Sequence, residues 1–134
     1  MTKQEIEQKL LALKIPESEY WVITGGAMVL YGIREQTHDI DLGCTKQLAD
    51  RLEAAGFRTE RLPDGTRKIQ IGDDVELFED WLFDRIETVD GFPVISLKGL
   101  LLMKKSLGRE KDLRDITLIE AFADKLQRGK QSAE

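Results

Sequence analysis

The sequence predicts an α/β (α+β) domain: a small mixed β-sheet packed against helices, with two helices closing the C-terminal end. Three observations predict it. Short apolar or alternating runs such as YWVIT and DIDLGC read as strands, apolar stripes at helical spacing occupy both ends of the chain, and turn residues separate them. The 134 residues, 41% apolar and 34% charged, suit one domain with a core of its own, residues 1–134. Its central part is expected at about residues 20–116, followed by a helix to about 128.

Each element has a local reason. Ile6, Leu10, Leu11 and Leu13 form a helical stripe that Pro16 ends. YWVIT, residues 20–24, reads as a buried strand, and GGAMVLYG as a turn entering a short helix. Asp39 to Cys44 alternates like a strand. Gln47 to Ala55 is helical, with Gly56 as its cap. FRTERL, Pro63-Asp64-Gly65 and TRKIQI make a hairpin, and Asp73-Asp74 introduces the strand VELFE. Ser96 is a suitable N-cap for a helix ending at Gly108. A last helix runs from about Glu110 to Leu126, with Gly129 beyond it and GKQSAE left as a tail.

Charge and composition exclude some roles. A net charge of -5 argues against a general nucleic-acid coat, because neutralising phosphates needs a Lys/Arg surplus. It leaves room for one basic pocket. A single cysteine, Cys44, has no internal disulfide partner, which suits a reducing cytoplasm. No apolar run approaches the roughly 20 residues that span a bilayer, so no membrane partner is expected.

Asp39 and Asp41 carry the chemistry. On a strand they share a face, roughly 6.6 Å apart along the chain, where two carboxylates repel unless a cation lies between them. Hard oxygen donors suit Mg²⁺ or Mn²⁺. Ile40 and Leu42 take the opposite face, which makes the strand half-buried. Gly25-Gly26, between a strand and a helix, lets a phosphate approach backbone N–H groups at the helix start.

Together the stretch GGAMVLYGIREQTHDIDL resembles the opening signature of the polymerase-β-like nucleotidyltransferase superfamily. There a glycine turn and helix precede a strand with two metal-binding aspartates. Gly32, Arg34, Thr37, Asp39 and Asp41, in that order, look especially like the minimal and AbiEii-toxin-like branches. The resemblance implies a nucleotidyltransferase fold and a third carboxylate on a neighbouring strand, for which Glu76 in DVELFED is the match.

Two later helices add an independent pattern. Leu97, Leu100, Met103 and Leu107 define an apolar face on which Lys104 also falls, whereas Lys98 and Lys105 point away. On the last helix Leu113, Ile116, Ile119, Ala123 and Leu126 form the stripe, with Asp112 near its centre and Asp115 at its margin. Charges facing a core must line a cleft or pair with each other. MKKSLGREKDLRDI also resembles the AbiEii-like pattern of a helix lysine followed by Arg109, Lys111, Asp112 and Asp115. By that resemblance Lys104 contacts the nucleotide phosphates, and Arg109, Lys111 and Asp112 complete the nucleotide side. A plain Lys104–Asp112 or Arg109–Asp112 staple is compatible with it.

The implied reaction is in-line attack on the α-phosphorus of a nucleoside triphosphate, releasing pyrophosphate. Two metals about 3.5–4 Å apart would be held by Asp39, Asp41 and Glu76. Gly25, Gly26, Arg34 and Thr37 join the nucleotide-binding set. The acceptor is open between an RNA end, a protein and a small molecule, and a partner protein or second copy, as in a toxin–antitoxin pair, could help bind it. A binding or antitoxin module on the same fold is the alternative. His38 faces away from Asp39 by strand alternation, as a rim residue, and Cys44 reads as a small buried apolar residue.

Overall fold

The computed structural model describes the backbone of residues 1–132 and side chains as far as residue 129. Five helices and seven strands follow in order: α1 Lys3–Leu13, β1 Tyr20–Ile23, α2 Thr24–Tyr31, β2 Ile40–Cys44, α3 Lys46–Ala54, β3 Arg58–Arg61, β4 Arg67–Ile71, β5 Val75–Glu79, β6 Ile86–Val89, β7 Phe92–Ile95, α4 Leu97–Leu107 and α5 Glu110–Ser132. The strands form one mixed sheet in the order β3-β4-β5-β2-β1-β7-β6. Pairing is parallel between β2 and β5 and between β1 and β7, and antiparallel elsewhere.

Side-chain alternation decides what each face of the central strands does. Ile40, Leu42, Cys44, Val75 and Leu77 are wholly buried, while Asp41, Glu76 and Phe78 on the other face stay partly open. Desolvation pushes the Cys44 thiol up to about 12, which leaves it protonated and inert, as expected of a small core residue. On β1, Trp21 lies opposite Gly43, and a Cβ at Gly43 would overlap the indole. The missing side chain lets Trp21 lie over the strand and donate from Nε1 to the Trp81 carbonyl at 2.8 Å. That bond anchors the chain just after β5.

The helix caps agree with the expected punctuation. Ser96 accepts from the Gly99 N–H at 3.1 Å and Gly108 ends α4 in the left-handed region, and α1 adds a capping box of Thr2 and Glu5 that its stripe alone does not predict. Several details differ. In α1 Leu11 is 68% exposed, because Ile6 and Leu10 alone turn fully into the core. The hairpin β6–β7 was not expected. In α5 Leu113 and Leu126 face solvent, and the buried face is Ile119 with Asp112, expected near the centre of the stripe, and Asp115, expected at its margin. Ion pairs hold that face inward in place of the apolar stripe. Helix α5 also continues through Gly129 to Ser132, so most of GKQSAE is helical in its backbone; residues 133 and 134 lie outside those described. No helix among the described residues is long and apolar enough to cross a membrane.

Candidate active site

Register places the carboxylates. Asp41 lies opposite Ile23 on one side and opposite Glu76 on the other, so Asp41 and Glu76 are neighbours on adjacent strands, about 4.8 Å apart at the backbone. Asp39 precedes β2 by one residue and is exposed. All three line one cleft of about 410 Å³, together with Thr24, Gly25, Arg34, Thr37, His38, Lys104, Arg109, Lys111 and Asp115. A larger hollow of about 600 Å³, bounded by Tyr31, β6 and the start of α4, shares none of these residues.

Asp41 is the strained member of the acidic wall. Its carboxyl is pushed above the ordinary 3.8, first by burial and then by the charges of Glu76 and Asp39. A 2.8 Å hydrogen bond from Thr24 Oγ1 to Asp41 Oδ2 and the charge of Lys104 oppose that rise without cancelling it. Glu76 turns towards Lys68, whose Nζ lies 3.5 Å from Oε2.

The opposite wall is basic and cross-braced. Lys104, 3% exposed, places its ammonium 3.4 Å from Asp112 Oδ1 and 3.0 Å from Asp115 Oδ2. Arg109 donates to Asp112 from Nε at 2.6 Å, from Nη2 at 3.2 Å and from its backbone N–H at 3.1 Å. Burial alone would raise the Asp112 carboxyl; the Arg109 bonds and the Lys104 charge overcome it and hold it below 3.8. Arg34 donates to Asp115 across the cleft floor. Lys111 is exposed and makes no ion pair among the described residues.

The glycine turn lies at the back. A Cβ on Gly25 would come within 2.6 Å of Thr37 Oγ1 and 3.4 Å of Arg34 Nη1, so the backbone there lies against two cleft residues. Helix α2 has Ile23 as its N-cap and no side-chain cap, leaving its first N–H groups without a side-chain acceptor.

Most residues singled out from sequence therefore come together. Two do not reach the cleft: Gly26 is buried against Val22, and Asp112 is wholly buried behind Lys104 and Arg109. His38 lines the cleft together with Asp39; both precede β2, so strand alternation does not fix their directions. Thr24 also lines the cleft, and its bond to Asp41 comes from a left-handed backbone position that propensity does not reveal.

The donor set suits a hard divalent cation. Asp39, Asp41 and Glu76 line the cleft, and a cation beside Asp41 would offset both the burial and the neighbouring charges that raise it. Among the described residues no three His, Cys, Asp or Glu side chains form a ready-made metal cage. Mg²⁺ needs none, since one or two carboxylates with substrate phosphates commonly suffice.

No family model and no curated protein matches the chain. Among solved structures it is similar to the lincomycin-bound lincosamide antibiotic adenylyltransferase LnuA, with a TM-score of 0.55 and 17% identity over 88% of this chain and 94% of that one. The mixed α/β architecture is thus the fold of a nucleotidyltransferase, as the resemblance implies.

Proposed function

We propose that this chain is a nucleotidyltransferase that uses Mg²⁺ or Mn²⁺ to move a nucleoside monophosphate from a triphosphate to an acceptor. The observation that carries the proposal is the cleft itself: Asp39, Asp41 and Glu76 on one wall, Lys104, Arg109, Lys111 and Arg34 on the other, and the uncapped start of α2 behind. Charge of both signs across about 410 Å³ suits a metal-bound triphosphate better than a free anion or a free cation.

In the reaction an acceptor oxygen bonds to the α-phosphorus while the bond to pyrophosphate breaks. The metal supplies Lewis-acid stabilisation of charge on the phosphoryl and leaving oxygens. Asp39 and Asp41 would hold it, with Glu76 as the third ligand. Glu76 is also the base proposed to take the acceptor proton. Lys111 offsets charge on the triphosphate, and the Lys104 ammonium, held by Asp112 and Asp115, adds a fixed positive field. Gly25, with Thr37 and Arg34, bounds the phosphate end.

The acceptor class is an RNA end, a protein or a small molecule; the name of the solved relative, a lincosamide adenylyltransferase, supports the last. The Arg109–Lys111–Asp112–Asp115 pattern supports the AbiEii-toxin-like branch, and with it a role beside a partner protein. A second reading is a binding or antitoxin module, favoured by one observation: Glu76 is engaged by Lys68 instead of completing a metal cage.

Calorimetric titration of each triphosphate with and without Mg²⁺, repeated on Asp39→Asn and Asp41→Asn, tests the site. Metal-dependent binding that survives in both variants sinks it. Labelled triphosphates incubated with cell extract then separate the readings: a labelled macromolecule or small product supports transfer, and binding without transfer supports the module.

A further inference from the structure

We propose that Thr24 is a positioning residue that fixes the Asp41 carboxylate for a divalent cation, an inference that rests on the metal-dependent reading above. Its hydroxyl donates to Asp41 Oδ2 at 2.8 Å, which pins one carboxylate oxygen and leaves Oδ1 as the one to bind a cation. Metal-binding carboxylates are commonly oriented by such outer hydrogen bonds.

The backbone gives a second, independent sign. Thr24 has φ +51, in the left-handed region that a β-branched residue rarely enters. Glycine takes that conformation without strain, and two glycines follow at once, yet the strained position holds a threonine. Strain of this kind persists where surrounding structure over-determines it, and it gathers at functional sites.

Topology explains the reach. Ile23 lies opposite Asp41 in the ladder, so Thr24 is the first residue past the pair, and the left-handed turn there brings its side chain to the carboxylate. A threonine at a helix start ordinarily accepts from the helix N–H groups. The N-cap of α2 is Ile23, whose side chain cannot accept, and the Thr24 hydroxyl one residue later is committed to Asp41.

The test measures Mn²⁺ binding to the full chain by calorimetry, for wild type, Asp41→Asn, Thr24→Val, Thr24→Ser and Thr24→Gly. Thr24→Val keeps the branched shape and removes the hydroxyl; its Mn²⁺ affinity is expected to fall about 10- to 100-fold with an unchanged circular dichroism spectrum. Thr24→Ser restores affinity to near wild type. Thr24→Gly relieves the strain and melts no lower than wild type, yet binds Mn²⁺ as weakly as Thr24→Val, a pairing that a merely structural role does not produce. Should Thr24→Val fail to fold, the Ser and Gly variants make the same comparison. Mn²⁺ binding that is lost in Asp41→Asn but intact in both hydroxyl-free variants overturns the role of Thr24 and leaves the metal site standing. A wild-type chain that binds no Mn²⁺, with or without triphosphate, overturns both.

Discussion

Lys104 Nζ lies 3.0 Å from Asp115 Oδ2, and both side chains are almost wholly buried between α4 and α5. Two charges in that position are costly apart and tolerable together, and Asp112 and Arg34 extend the pair into a network. Replacing Lys104 by Met leaves Asp115 buried with Arg34 alone. The expected loss is about 1–3 kcal/mol of unfolding free energy, below that of an orphaned charge because Arg34 still pairs Asp115 and Arg109 still pairs Asp112. Urea unfolding measures it. A variant as stable as wild type would mean that the network does not join the two helices.

On the other side of the sheet, Arg67 is 5% exposed and holds Glu79 with Nε at 3.1 Å and Nη2 at 2.5 Å, while reaching Asp50 and Glu53 on α3. The Arg67 bonds keep the Glu79 carboxyl below its ordinary 4.5. A carboxyl depressed by folding stabilises fully above its unfolded value, so this contribution is present above pH 4.5 and lost as pH falls through the lower folded value. Urea midpoints at pH 7, 5 and 3.5 should show wild type losing stability below 4.5 and Arg67→Met, already weaker at pH 7, losing less over the same interval. Parallel curves for the two proteins would remove the pair as a source of acid sensitivity.

What the sequence discloses, and what it hides, follows from how local each signal is. The alternation around Asp41 and the cap at Ser96 are written in neighbouring residues, and both stand as expected, whereas α2 already starts at Thr24 and takes Gly25 and Gly26 into its first turn. Asp90-Gly91, both at positive φ between β6 and β7, was equally local and is a strong hairpin signal. Its strand gives no matching signal, because Glu87 and Thr88 interrupt the apolar pattern of β6, an edge strand half open to solvent. The α5 face is legible only in part, since Asp112, Asp115 and Ile119 lie inward as the spacing predicts while Leu113 and Leu126 do not. Periodicity counts apolar residues, whereas here pairing with Lys104, Arg109 and Arg34 buries Asp112 and Asp115 and leaves Leu113 60% exposed. Partners on other elements decide that, and no window along one helix contains them. Thr24 is hidden likewise, since its bond to Asp41 depends on a strained turn.

Gly25 and Gly26 are adjacent yet should respond differently to a methyl group. At Gly25 the new Cβ meets Thr37 Oγ1 at 2.6 Å, so Thr37 and the cleft floor must shift. At Gly26 the nearest atom is Val22 Cγ1 at 3.1 Å, a tight contact that a small adjustment of the core relieves. Gly25→Ala is expected to weaken Mg²⁺-triphosphate binding about 10-fold, equivalent to about 1.4 kcal/mol. Gly26→Ala should change it less than threefold, with a modest loss of melting temperature. Calorimetry on the two variants decides, and equal losses would take Gly25 out of the phosphate end of the cleft.

Asp41 offers the sharpest separation of stability from function. In the metal-free chain its carboxylate is disfavoured at neutral pH by burial and by Glu76 and Asp39, so ionised Asp41 weakens the fold it belongs to. Asp41→Asn removes that charge, and its amide oxygen can still accept from Thr24. Without metal at pH 7 the variant is expected to melt above wild type, by the order of 0.5–2 kcal/mol typical of relieving a strained functional site. Added Mg²⁺ should then raise the wild-type melting temperature in proportion to the logarithm of its concentration and leave Asp41→Asn unmoved. Under this scheme the two curves approach or cross as Mg²⁺ rises. A variant that melts below wild type without metal, or climbs with Mg²⁺ as wild type does, would show that Asp41 is held for the fold and not for a cation.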